Sequence, residues 1–356
     1  MDYFILLKSF LIEISIFLYV FTNYFSVIIP NNITKIFLYI YIFLLIFLIF
    51  LNKYSKKEIL LLFLVFILLM SKMAIKKETS LILLFCTIVG FKDYLKIKWI
   101  KKNLIYAVLC FFILIIYFQI NDIGNIYIRG NGTIRYDLGF KNPNILAKIC
   151  FSLLLMGYFF IKNKIYSTIF IGSFSFVVYQ VTKSRTFLCV TLFLLFFNII
   201  MKKILKYKIV KIFILNFYII LYSFSIYLVK YLYNNSFINK LLSYRLSYYK
   251  WFLENINVNL LGNNLDIIGN ETFNALDSSY IFFYLQGGLL ISLIFYAIYY
   301  KLFSSFIKKQ EYKLITITIS ILIYSLFENN LTQITFNFTL LYLFDRIYKE
   351  KNGKIA

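Results

Sequence analysis

Five arginines stand among the 38 basic residues of this 356-residue chain. Four of them, Arg129, Arg135, Arg185 and Arg245, fall in polar breaks between long apolar runs. Lysine is the default cation here, so arginine at these places needs a chemical reason. A guanidinium presents a planar fork of donors that grips phosphate oxygens bidentately and does not deprotonate. Two other uses fit the same residues: ion pairs with acids such as Asp137 and Glu254, or contact with lipid headgroups. The acids form the second half of the pattern, with Asp122, Asp137, Glu254, Asp266, Glu271, Asp277 and Glu328 in the same polar stretches. Asp277 precedes Ser278-Ser279-Tyr280 at the start of an apolar run. It can cap a helix N-terminus, or act as a base whose affinity for protons rises with partial burial. Glu328, next to Asn329 and Asn330, reads either as a functional acid at a membrane edge or as a surface acid reaching for water. A third group is Gly139-Phe140-Lys141-Asn142-Pro143-Asn144. Asn142 as cap and Pro143 in a first helical turn account for two of these residues. Asn144, together with Arg135 and Asp137 upstream, suits a turn that presents amides to a sugar.

The elements that must position these groups are membrane helices. Hydrophobic residues make up 62% of the chain, charged residues 15%, and the mean hydropathy is +0.80. A soluble domain carries about 25% charged residues, and no single soluble core hides this much apolar surface. Apolar runs of about 15 to 22 residues recur, near the length that crosses ~30 Å of hydrocarbon as a helix. The expected fold is all-α, one polytopic bundle of twelve spans at 9–29, 34–51, 58–73, 78–92, 103–120, 145–161, 165–181, 186–201, 211–231, 279–300, 314–328 and 330–345. Barrel strands would alternate polar and apolar residues, and these runs do not. With both termini in the cytoplasm, 24 of the 38 basic residues fall on the inner side, as the positive-inside rule requires. The net charge of +23 is then a topological signal beside anionic lipid, not a nucleic-acid footprint. The first run reads as a retained anchor. Two stretches of functional size lie outside, 121–144 and 232–278.

Composition also excludes chemistries. The chain has no histidine, which removes His-based zinc sites and Ser-His-Asp catalysis. Cys86, Cys110, Cys150 and Cys189 sit singly in apolar runs and read as small hydrophobes. There is no phosphate-cradling Walker loop or GxGxxG turn. No metal or cofactor is expected.

Several pieces, taken in order, resemble the O-antigen polymerase and ligase superfamily of bacterial surface-polysaccharide assembly, especially the Wzy repeat-unit polymerases. They are Arg135-Tyr-Asp-Leu-Gly-Phe-Lys-Asn-Pro-Asn144, Thr182-Lys-Ser-Arg-Thr186, and Arg245 followed by Leu261-Gly262-Asn263. Then come Leu276-Asp-Ser-Ser-Tyr280 leading to Gly287-Gly288, and Ser325-Leu-Phe-Glu328 ahead of Asn337. The resemblance runs from about Ile120 onward. It implies a metal-independent, GT-C-like glycosyltransferase of the bacterial cytoplasmic membrane, working on the outer face with an undecaprenyl-diphosphate-linked oligosaccharide. A flippase and a chain-length regulator are the protein partners it implies. Arg185 and Arg245 would clamp the diphosphate with Arg135 as a third contact. Asp277 would be the acceptor base, and Asn144, Tyr280 and Glu328 would line the cleft. Related ligases typically carry histidine where this chain has Asp277, which favours a polymerase. A ligase or a lipid-linked oligosaccharide flippase are the alternatives. A transporter would be expected to show internal repeats and broken mid-membrane helices.

Overall fold

A computed structural model describes residues 2–76, 80–128, 132–242, 244–263 and 276–343. Fifteen α-helices are found among the described residues. The first eight are α1 (Asp2–Phe25), α2 (Asn31–Leu51), α3 (Lys56–Lys76), α4 (Ser80–Gly90), α5 (Lys96–Ile120), α6 (Pro143–Phe160), α7 (Lys164–Thr182) and α8 (Arg185–Ile204). The rest are α9 (Lys208–Leu215), α10 (Phe217–Leu232), α11 (Ser236–Leu241), α12 (Arg245–Asn255), α13 (Ser279–Phe282), α14 (Gly288–Lys308) and α15 (Tyr312–Tyr324). A short antiparallel hairpin, β1 (Ile126–Ile128) with β2 (Ile134–Tyr136), pairs Tyr127 with Arg135 inside the first polar stretch.

The all-α expectation holds. Seven described helices are long and apolar enough to cross a membrane, and an eighth if the bent pair α9–α10 counts as one span. Their outward faces are apolar too: in α2, Phe43 and Phe50 are 68% and 82% exposed. Such faces suit hydrocarbon, where every backbone group must be satisfied within the helix.

The twelve expected spans are not all reproduced, for local reasons. The run 211–231 breaks at Asn216, where α9 and α10 meet at 62°. The Asn216 side-chain amide donates to the Ile212 carbonyl at 2.9 Å, and its oxygen accepts from the Tyr296 hydroxyl at 2.8 Å. An amide that competes for backbone partners in this way weakens helical continuity. The run 78–92 supplies an 11-residue helix, α4, and 314–328 supplies the 13 residues of α15. The described part of 330–345 is not an α-helical span. It runs as turns from Asn330 to Asn337 and closes in a 3-10 turn, Phe338–Leu341. Thr332, Thr335 and Asn337 offer that backbone side-chain alternatives to a helix, and all three are buried. Irregular backbone at membrane depth is tolerated where protein buries it.

The chain divides into two compact units. The first comprises 1–54, 83–200 and 334–356, and the second 55–82 and 201–333. In the first unit, α1 packs on α2 and α5, and α6 on α5 and α7. The irregular strand at its end is tied in by polar bonds. Ser152 donates to the Thr335 carbonyl at 2.8 Å, and the Ile334 amide donates to the Tyr19 hydroxyl at 3.1 Å.

In the second unit the span from Ser279 to Lys308 is interrupted by a π-helical turn, Phe283–Gly287. A π turn leaves backbone groups without their usual partners, and here a loop supplies them. The Asn263 amide and side chain both donate to the Leu285 carbonyl, at 2.9 and 3.2 Å. Leu290 N–H donates to the Leu260 carbonyl at 3.1 Å. Close approach of the two backbones requires glycine on both sides. Gly262 and Gly288 have φ of +79° and +77°, and a Cβ on Gly262 would lie 2.0 Å from the Gln286 carbonyl oxygen. Leu261-Gly262-Asn263 and Gly287-Gly288, separate in sequence, are thus one joint.

Candidate functional site

The site is built on the first turn of α12. Along that helix Leu246, Tyr249 and Phe252 are buried and share one face. With Ile256 they pack against Val229 of α10, Ile281 of α13 and Leu285 of the π turn. Burying each such side chain is worth ~1.5–3 kcal/mol, enough to seat a helix of 11 residues that would not be stable alone. Tyr244, at φ +62°, turns the chain into α12. Arg245 at its start is thereby held against the end of α15.

Arg245 is heavily committed. Its Nη2 lies 3.2 Å from Asp277 Oδ2 and 3.2 Å from Glu328 Oε1, while Nη1 donates to the Phe327 carbonyl. Burial disfavours the cation, but Glu328 and then Asp277 more than offset it, holding the guanidinium above its ordinary pKa. The two acids differ in access. The Asp277 side chain is 38% exposed and that of Glu328 13%. Asp277 is not the helix cap; that position belongs to Ser278. Glu328 is not a surface acid reaching for water.

Ser279 fixes this geometry. Its hydroxyl donates to the Glu328 carbonyl at 2.9 Å and accepts from Asn330 N–H at 3.0 Å and Leu331 N–H at 3.4 Å. Its own N–H donates to the Ser325 carbonyl at 3.0 Å. Ser279 is fully buried, so nothing replaces these bonds when they are removed. A cavity of about 20 Å³ adjoins Arg245, lined also by Tyr249, Ser278 and Phe327. The Ser278 hydroxyl is buried beside it with no hydrogen-bond partner. Ser279→Ala is expected to destabilise by about 1–3 kcal/mol, the range for orphaned buried polar groups, and to loosen Glu328 from Arg245. A thermal melt of the purified protein checks the first effect. A melting temperature equal to wild type would show that the turn holds without Ser279.

The other expected residues group differently. Arg135 and Asn144 meet in the first unit. Arg135 Nη2 donates to Asn144 Oδ1 at 2.6 Å, and Nε to the Thr182 carbonyl at 2.8 Å. Arg135 is 9% exposed and ties the hairpin to the start of α6 and the end of α7. Asn144, half-buried, takes part in this staple through its Oδ1. Asn142 caps α6 as expected, accepting from Asn144 N–H at 2.7 Å, with Pro143 at the first position. Asp137, fully buried, accepts from the Asn125 N–H and side-chain amide and from Gly139 N–H. It shapes the loop. Glu254 bonds Lys250 one turn away on α12. Arg185, the first residue of α8, is exposed.

Tyr280, expected in the cleft, lies in the core instead. It is fully buried and its hydroxyl donates to the Leu322 carbonyl at 3.0 Å, so it is a core residue and lines no cleft. Arg129, Asp266 and Glu271 lie outside the described residues, as do the basic residues after Asp345. The sequence reading missed Ser279 as the positioning residue, although Asp277-Ser278-Ser279-Tyr280 marked the place. It also missed Tyr249, for which an aromatic-rich helix gave no signal. No protein-family model, curated protein or solved structure matches this chain.

Proposed function

We propose that the chain is a repeat-unit polymerase of a bacterial surface polysaccharide. It would transfer a growing glycan from undecaprenyl diphosphate to a sugar hydroxyl of a second lipid-linked repeat, on the outer leaflet of the cytoplasmic membrane. In this reading both termini are cytoplasmic, and the flippase and chain-length regulator are its partners. One observation carries the proposal: a guanidinium shared by a half-buried acid and a more exposed one, at the mouth of an interrupted apolar span.

The chemistry asks little more than this. The acceptor oxygen bonds to the anomeric carbon while the bond from that carbon to the diphosphate oxygen breaks, and the diphosphate leaves with the electron pair. The acceptor's proton passes to the Asp277 carboxylate and then to water. Arg245 opposes the charge that develops on the diphosphate, an effect that strengthens away from bulk water. Arg185 is exposed at the start of α8 in the first unit, and a phosphate role for it rests on the sequence resemblance alone. Arg135, Asn144 and Tyr280 take structural roles instead. Glu328 orients Arg245.

A lipid-linked oligosaccharide transporter is the second reading. The breaks at Asn216 and at the π turn favour it, since interrupted helices often line transport sites. Deleting the gene separates the two. The polymerase reading expects single repeat units on the surface and loss of the long-chain ladder. Single repeats trapped on the inner leaflet would instead identify a transporter, and full-length lipid-linked polymer a ligase. An unchanged glycan profile in a strain without a second such enzyme would end the proposal.

A further inference from the structure

Two carboxylates on one guanidinium leave the cluster with a formal charge of −1. That is a poor resting place for a diphosphate. Asp277 and Glu328 both contact Nη2, and the adjoining cavity of about 20 Å³ has room for about one water molecule and none for a phosphate. An anionic headgroup reaches Arg245 only if one acid gives way. Glu328 is the more buried, and its backbone carbonyl is pinned by Ser279. The Phe327 carbonyl, bonded to Nη1, belongs to the same turn. Asp277 is the more exposed of the two acids and lies on a different segment.

The geometry points to a displacement latch: the donor's phosphate and Asp277 compete for Arg245, and donor arrival frees the Asp277 carboxylate to accept the acceptor's proton. The inference rests on the polymerase reading and deepens it. While paired, Asp277 has its Oδ2 engaged by the guanidinium and turned from an acceptor hydroxyl. Once displaced, it faces the acceptor with that oxygen open. Deprotonation of the acceptor is thereby tied to the presence of the donor, and Glu328 keeps Arg245 aligned throughout.

The test measures binding of undecaprenyl diphosphate to the full-length protein in nanodiscs. Asp277→Asn removes the competitor, so affinity should rise by roughly tenfold, within the 5- to 150-fold range usual for coupled sites. Glu328→Gln removes the same charge but leaves the Asp277 pair in place, and should tighten binding much less. Arg245→Ala should abolish it, with Arg245→Lys as the substitute if the alanine protein does not elute as a single folded species. Equal tightening by the two acid variants would reduce the effect to net charge and overturn the latch. Unchanged affinity in Asp277→Asn, with binding still dependent on Arg245, would overturn the latch and leave the polymerase reading standing. Unchanged affinity in Arg245→Ala would remove Arg245 from the donor site, and the latch with it.

Discussion

Asp277→Asn should lose glycan transfer by about 10²- to 10⁴-fold, the usual contribution of a positioned base, while the protein folds and inserts normally. The separation of the two effects follows from exposure. Asp277 is the more exposed partner of its pair with Arg245, and without its charge Glu328 and the Phe327 carbonyl still hold the guanidinium. Asparagine keeps the shape and one acceptor oxygen but cannot take a proton at working pH. Asp277→Glu should recover part of the rate, because the longer acid restores the proton acceptor with altered reach. Turnover is measured with equal amounts of purified proteins. Full turnover by Asp277→Asn would show that some other group takes the proton.

The largest effect on the fold is expected at Gly262. A Cβ there would sit 2.0 Å from the Gln286 carbonyl oxygen and 2.6 Å from its carbon, backbone atoms that cannot swing aside. The φ of +79° adds strain for any other residue. Together, overpacking and strain make Gly262→Ala cost about 3 kcal/mol or more, and Gly262→Val more still. The joint holds the loop after α12 to the π turn, and α12 carries Arg245, so activity should fall with stability. A thermal melt in detergent reads the first effect. A shift for Gly262→Ala of less than about 1 °C, equivalent to under ~1 kcal/mol for a chain of this length, would mean that the joint opens freely.

The helical class was legible because hydrocarbon imposes a length and a composition that few other environments do. Spans such as Pro143–Phe160, Lys164–Thr182 and Arg185–Ile204 begin at polar breaks that the sequence displays openly. The bend at Asn216 was hidden, because one of the two bonds that engage its side chain comes from Tyr296, 80 residues away. The turn region after α15 was hidden for a related reason. Its apolar residues read as a span, while its threonines and asparagines use partners that only the folded chain provides. The site was half legible. Arg245, Asp277 and Glu328 stood out by type, and the structure brings them onto one guanidinium. Tyr280 stood out equally, by adjacency alone, and lies in the core. Arg135 was distinguished by being an arginine, yet its fork serves a carbonyl and an amide. The residue type marks a need for several directed donors, and a folded partner meets that need as well as a phosphate does.

The central claim is tested most directly by reconstitution. The purified protein is placed in liposomes with a synthetic undecaprenyl-diphosphate-linked repeat unit taken from the source strain's own polysaccharide, and no other protein. Lipid-linked products of two, three and more repeats, with release of undecaprenyl diphosphate, are the expected result, and the Asp277→Asn protein should form none. Movement of intact single repeats between leaflets, with no longer product, would contradict the assignment and identify a transporter.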